Sequence, residues 1–196
     1  AKFLPPSIGS VDKVAPEMRK WQKYLAEKGI AYEGWTYDYP TEAEWEYACR
    51  AGTSAGYPSA IKDLGKYGNF ADRTLYEDRE LVHYVYANTE ADDGYGRVFA
   101  PVGQYLPNPW GIHDMLGNLA ELCSTYYLDK LTPGNDPNFQ SLPDPRGSRH
   151  RVSRGCSWCS PPEYLHVAFR NAFTGTQTPH AGMRLVLRQG EGLTRT

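Results

Sequence analysis

Pro40-Thr41-Glu42-Ala43-Glu44-Trp45-Glu46-Tyr47-Ala48-Cys49-Arg50-Ala51-Gly52-Thr53 spells out a helix together with both of its ends. Thr41 and Glu44 stand at capping-box spacing, where hydroxyl and carboxylate each accept the other residue's backbone N–H. Trp45, Ala48 and Cys49 fall on one face, and Gly52 supplies a stop. Upstream, Pro16 to Lys28 predicts a second helix, with Met18, Trp21, Tyr24 and Leu25 on one face and Gly29 after its end. Downstream, residues 54–104 break into Gly-, Asn- and Asp-rich loops, with Tyr84-Val85-Tyr86 and Val98-Phe99 as short strand candidates. A helical turn is expected near Asn118–Cys123, and a polar surface loop over Thr132–Ser148. Two buried strands are expected at Arg151–Ser157 and Met183–Leu187. No internal repeat or linker interrupts residues 1–196, which read as one domain.

The 196 residues carry a formal net charge of -2, which argues against a nucleic-acid binder, since such proteins show a basic stripe. Apolar runs stay far below the ~20 residues that a membrane-spanning helix needs, so no transmembrane segment is expected. Fifteen Tyr, five Trp, nineteen Gly and fifteen Pro point to short elements joined by much irregular backbone. Backbone of that kind needs tethers, such as bound calcium or disulfides. Cys49, Cys123, Cys156 and Cys159 allow three disulfide pairings and equally allow free thiols, with Cys123 a possible partner of Cys156 or Cys159. Cys156 and Cys159 form a C-x-x-C pair, which can bind a soft metal, cycle as a dithiol, or simply be buried. The five histidines show no ligand spacing such as H-x-x-x-H.

Three stretches together resemble the formylglycine-generating-enzyme (sulfatase-modifying-factor) family. They are 40–53, quoted above; Pro107-Asn108-Pro109-Trp110-Gly111-Ile112-His113-Asp114-Met115-Leu116-Gly117-Asn118, running on to Glu121; and Arg151-Val152-Ser153-Arg154-Gly155-Cys156-Ser157-Trp158, followed by Ala168, Arg170 and Gly182-Met183-Arg184. The resemblance covers residues 16–188, and the family's usual N-terminal portion, with its glycine-rich opening strand, is not visible. It implies an α+β, C-type-lectin-like fold: two helices, small antiparallel sheets and much ordered loop. On physical grounds Trp45 and Tyr47 should anchor the second helix. Arg154, Arg170 and Arg184 should be buried or semi-buried guanidiniums, whose five donors suit the tying of loop carbonyls.

The resemblance also implies two structural calcium sites. Asn69 and Asp93 would give side-chain oxygens to the first, with carbonyls from Phe70 and Tyr95, and Asn118 and Glu121 suggest the second. Calcium takes 6–8 oxygen ligands of mixed type, which such a set can supply. Read from the residues alone, the same Asn and Asp positions are ordinary turn formers. At the second site the family's aromatic neighbours are replaced by Ala120 and Leu122.

Catalytic members of the family are copper oxidases that convert a protein cysteine to formylglycine, holding Cu(I) between two thiolates separated by four residues. Cys156 stands where the family has a second glycine, and Cys159 lies one position before the first catalytic thiol. The second thiol's place falls near Glu163-Tyr164. Cys49 matches a family position often disulfide-bonded near the third motif, where Leu165 or Val167 stands here. The expected function is therefore a non-catalytic binding or assembly module, part of a larger protein complex. The alternative is a copper-dependent oxidoreductase using Cys156 and Cys159. Tyr76, Tyr84, Tyr86, Tyr126 and Tyr127 would suit a protein interface, and the family and the cysteines lean toward an extracytoplasmic, periplasmic or surface-associated location.

Overall fold

The computed structural model describes residues 14–30, 32–54, 61–77, 90–95, 99–129, 150–174 and 180–189. In chain order these form α1 (Val14–Glu27), β1 (Trp35–Asp38), α2 (Glu42–Arg50), two short helices α3 (Ile61–Leu64) and α4 (Arg73–Glu77), and β2 (Ala120–Tyr126). Then follow β3 (Arg151–Arg154), a 3-10 turn (Pro162–Tyr164), β4 (Asn171–Phe173), β5 (Ala181–Gly182) and β6 (Val186–Gln189). The chain is α+β. One sheet has the order β4-β3-β2-β5, and β1 pairs with β6 in a second. Pairing is antiparallel except between β2 and β5, which run parallel.

The α2 helix forms as its sequence dictates. Thr41 Oγ1 accepts the Glu44 N–H at 3.2 Å, and Glu44 Oε2 accepts the Thr41 N–H at 2.8 Å. Its end differs by one residue: Ala51 takes the left-handed conformation (φ 46°) and donates its N–H to the Tyr47 carbonyl. Trp45 and Cys49 enter the main core with Phe70, Leu116, Cys123 and Val152. Burying each large side chain contributes about 1.5–3 kcal/mol. Tyr47 does not anchor the helix internally. It is 68% exposed and packs edge-on against Trp110, with ring centroids 5.0 Å apart.

The expected helical turn at Asn118–Cys123 is instead the start of β2. Leu122, Cys123, Ser124 and Thr125 are all buried, because β2 lies between β3 and β5 with both faces covered. A central strand loses the alternation that would reveal it, and Asn-Leu-Ala-Glu-Leu locally mimics a helix. The last strand begins later than expected, at Val186, and alternates between half-buried and exposed residues instead of being buried. β1 and β4 were not legible at all, being four and three residues long. Phe99 is not in a strand, while Tyr84-Val85-Tyr86 and Thr132–Ser148 lie outside the described residues.

The expected guanidiniums are where the loops need donors. Arg154, 1% exposed, donates to the Phe169 carbonyl at 2.6 Å and to Glu46. Its Nε sits 3.4 Å from Glu42 Oε1, an ion-pair distance without hydrogen-bond geometry. Arg170 forks onto both Glu42 oxygens and reaches the Leu128 carbonyl at 2.9 Å. Arg184 forks onto Glu121 at 2.8 Å to each oxygen and donates to the His113 carbonyl at 2.9 Å. Arg188 joins β6 to the start of α2 through Glu44 at 2.6 and 2.7 Å. Burial alone would raise the Glu44 and Glu46 carboxyls, but Arg188 holds the first below its ordinary value, and Arg50 and Arg154 the second. Tyr126 and Tyr127 are half-buried platforms under Arg151 and Arg170, with the charge 4.4 and 5.0 Å from the ring centre. Of the expected interface tyrosines among the described residues, Tyr76 is exposed.

Candidate thiol groove and acidic loop

Two turns, 117–118 and 155–158, are tied together and carry the site. The Gly117 N–H donates to the Gly155 carbonyl at 2.7 Å, and the Trp158 N–H donates to the Asn118 carbonyl at 2.9 Å. Gly117 is obligatory: at φ 71° a Cβ there would lie 2.1 Å from the Asn69 carbonyl oxygen. Cys156 has φ 63°, left-handed backbone that glycine adopts freely and a side chain resists. The glycine of the resembled motif therefore has a backbone reason, and the cysteine here departs from it at a cost in strain.

Beyond these turns opens a groove of about 460 Å³, with Cys156, Cys159 and His180 on its floor and Tyr164, Phe169 and Phe173 among its walls. Cys156 is buried and donates its thiol to the Tyr164 carbonyl at 3.0 Å, and burial pushes that thiol up to about 12. Cys159 is half-exposed. Its sulfur lies 3.4 Å from Ser157 Oγ and 3.5 Å from His180 Nδ1. Burial lowers the His180 pKa, and the ring is tilted against buried Trp158, with centroids 5.3 Å apart.

All four cysteines are free thiols, which corrects the disulfide expectation. Cys49 and Cys123 are two buried members of the main core, and burial raises the Cys49 thiol to about 12. The cysteines thus give no support to an oxidising compartment. A two-thiolate copper site fits poorly, since each groove sulfur is directed to its own partner and Cys156 is buried against a carbonyl.

Of the first calcium set, Asp93 meets Phe70 and Tyr95, through their N–H groups and not their carbonyls. Asp93 Oδ2 accepts the Phe70 N–H at 2.9 Å, and Oδ1 accepts the Tyr95 N–H at 2.7 Å. The Asn69 carbonyl accepts the Asn118 N–H at 2.7 Å, which links this loop to the thiol groove. Asp72, fully buried alongside, accepts the N–H groups of Asp93 at 2.7 Å and Leu75 at 3.0 Å. Burial, then the neighbouring charges of Asp72 and Asp92, push Asp93 up to about 7, against the two backbone donors. No basic side chain among the described residues pairs with this cluster, and a hard cation there would share oxygens that already accept backbone N–H groups, two on Asp72 and two on Asp93. The second set does not fit one. Glu121 is saturated by the Arg184 fork and by Trp45 Nε1 at 2.7 Å, and the Asn118 amide pairs in both directions with the Ala100 backbone. Its acid was absorbed by scaffolding instead. Among the described residues no three His, Cys, Asp or Glu side chains converge as a metal centre.

Sequence reasoning missed the Cys159–His180 contact, which spans a loop and a strand start and has no spacing signal. It also missed the acids that pair with the arginines. Their signal was present, because Glu42, Glu44, Glu46 and Glu121 occupy the same motifs as the basic residues.

Short helices and two small sheets, joined by irregular backbone that arginines tie together, make this an α+β domain. The chain belongs to the sulfatase-modifying factor enzyme 1-like domain family, whose model matches residues 15–189. It is 33% identical over 169 residues to the formylglycine-generating enzyme of Mycobacterium tuberculosis, covering 80% of this chain and 53% of that protein. It is 35% identical over 145 residues to the formylglycine-generating enzyme of Streptomyces coelicolor, covering 71% and 41%. The chain thus spans about half the length of these curated relatives. Among solved structures it is similar to PvdO from Pseudomonas aeruginosa, with a TM-score of 0.63 and 24% identity over 89% of this chain and 59% of that one. It is also similar to Treponema denticola variable protein 1, with a TM-score of 0.57 and 28% identity over 79% and 48%. Among the described residues no helix is long and apolar enough to cross a membrane.

Proposed function

We propose that this domain is a binding or assembly module, working within a larger protein complex, whose groove receives an apolar segment of a protein partner. One observation carries it: the groove is open and walled by Tyr164 and Phe169, while the thiols that line it are not arranged as a shared metal pair. Aromatic walls supply large contact area at low conformational cost. An extracytoplasmic setting belongs to the same proposal and rests on the family resemblance alone. Site-specific photo-cross-linking from position 169 in the native host tests the module. A single protein captured at position 169, and not from exposed Lys23 on α1, is the expected result. Capture of nothing, together with oxygen-dependent conversion of a cysteine peptide by the copper-loaded chain, would replace the module with an oxidase.

The identity to formylglycine-generating enzymes favours that second reading, copper-dependent oxidation of a protein cysteine. Cys156 and Cys159 would then hold the Cu(I), which would supply activation of oxygen. Anaerobic Cu(I) titration of the wild type and of Cys159→Ala separates the two: equal stoichiometry in both eliminates the oxidase. We further propose that Asn69, Phe70, Asp93 and Tyr95 hold a structural calcium ion. Calcium binding the folded chain alone would raise Tm by mass action. The same rise in Asp93→Ala would leave Asp93 as a turn residue only.

A further inference from the structure

We infer that α1 and the turn after it form a docking surface for an anionic lipid bilayer, with lysines meeting the headgroups and Ile30, Tyr32 and Trp35 entering the boundary beneath them. The surface is separate from the groove and does not depend on the function proposed for it.

Charge is spread unevenly along the chain. Between Arg19 and Lys28 stand four cations, Arg19, Lys20, Lys23 and Lys28, against one acid, Glu27, while the chain as a whole carries -2. All four cations are exposed, whereas Trp21, Gln22, Tyr24 and Leu25 are half-buried, and Gln22 Nε2 donates to the Tyr37 carbonyl of β1 at 3.0 Å. At 3.6 residues per turn Arg19, Lys20 and Lys23 share an arc of about 100° on the outer side of the helix. Lys28 stands at its end, over the Tyr24 ring. Lys23 reaches Glu27 at 4.0 Å, but both side chains are mostly exposed, so the pair is weak and leaves the lysine available.

The apolar half lies at the C-terminal end of α1. Gly29 takes φ 69°, and the Ile30 N–H returns to the Leu25 carbonyl at 2.9 Å, which folds the chain back and fixes Ile30 beside the last turn. Tyr37 Oη donates to the Ile30 carbonyl at 2.8 Å, and the Trp35 N–H donates to the Tyr32 carbonyl at 3.0 Å. The backbone is thus held, yet Ile30, Tyr32 and Trp35 are 46%, 58% and 42% exposed. Two features select a bilayer over an acidic protein. Where this chain recognises a carboxylate it uses guanidinium forks, as Arg170 and Arg184 do, whereas three of these four cations are lysines, hydrated point charges suited to mobile headgroups. Exposed Trp and Tyr rings next to lysines also match the chemistry of the boundary between headgroups and acyl chains.

The test sediments the whole chain with sucrose-loaded vesicles, made of phosphatidylcholine alone or of equal parts phosphatidylcholine and phosphatidylglycerol. Binding to the anionic vesicles only, weakened by added salt, is expected. Lys23→Gln and Lys28→Gln together should lower the partition coefficient about twentyfold, at about fivefold per lysine. Ile30→Ser with Tyr32→Ser should lower it about tenfold at unchanged charge. Should the Ile30 exchange disturb the fold, Tyr32→Ser alone carries the comparison. No sedimentation with either vesicle, equal sedimentation with both, or undiminished binding by the lysine variant overturns the proposal. Retention on polyglutamate equal to that on the anionic vesicles, with Ile30→Ser and Tyr32→Ser without effect, overturns it in favour of an acidic protein partner.

Discussion

The molecule neutralises its buried acids in two different ways. Around α2, β2 and β3, Glu42, Glu46 and Glu121 each meet an arginine, and Glu44 meets Arg188 at the edge. Around residues 69–95, Asp72 and Asp93 meet backbone N–H groups, and no basic side chain among the described residues pairs with them. The carboxyl pKa values split accordingly: Glu44 and Glu46 are held low, while burial raises Asp72 and Asp93. The arginine side is complete in itself.

The comparison breaks most directly at Arg154. Arg154→Met takes the buried guanidinium from Glu42 and Glu46, leaving them Arg170 and Arg50, and should cost about 3 kcal/mol, the low end for breaking a buried pair; urea denaturation measures it. Glu121→Gln keeps the shape but weakens the Arg184 fork and the Trp45 contact. A loss of about 1.5–3 kcal/mol is expected in the same assay.

The pH response sharpens the contrast. Glu44 and Glu46, whose folded pKa values lie below the ordinary 4.5, contribute stability above that pH and lose it on acidification. Asp93 has the opposite sign. Its folded value of about 7 lies above 3.8, so the stability tied to its proton is complete below 3.8 and lost as pH rises toward 7. In chelator, Tm should fall over that window in the wild type and less so in Asp93→Asn; parallel curves would mean Asp93 is not the titrating group. Smallest is Arg188→Ala, a partly exposed fork, at about 0.5–1 kcal/mol by the same denaturation. A loss as large as that of Arg154 would show that the β1–β6 edge belongs to the buried network.

Much of the scaffold was legible because its signals are local. The capping box of α2 closes within four residues, and one face of that helix carries Trp45 and Cys49 to the core. Arg154, Arg170 and Arg184 were legible as buried donors because irregular backbone leaves carbonyls that need them. β2 was not legible, since a strand covered on both faces has no alternation to read. In sequence Glu121 reads as a calcium ligand, because an acid's partner is not defined until β2 and the segment bearing Arg184 are brought together.

By itself, then, the sequence determined family, fold class, α2 and the buried arginines, all of which follow from short-range pattern or motif order. Only the tertiary structure decided which acids are neutralised by guanidinium and which are not, that the thiols are free, and that Cys159 faces His180 across 21 residues of chain. Those are properties of side chains meeting across loops, where distance in space is unrelated to distance along the chain.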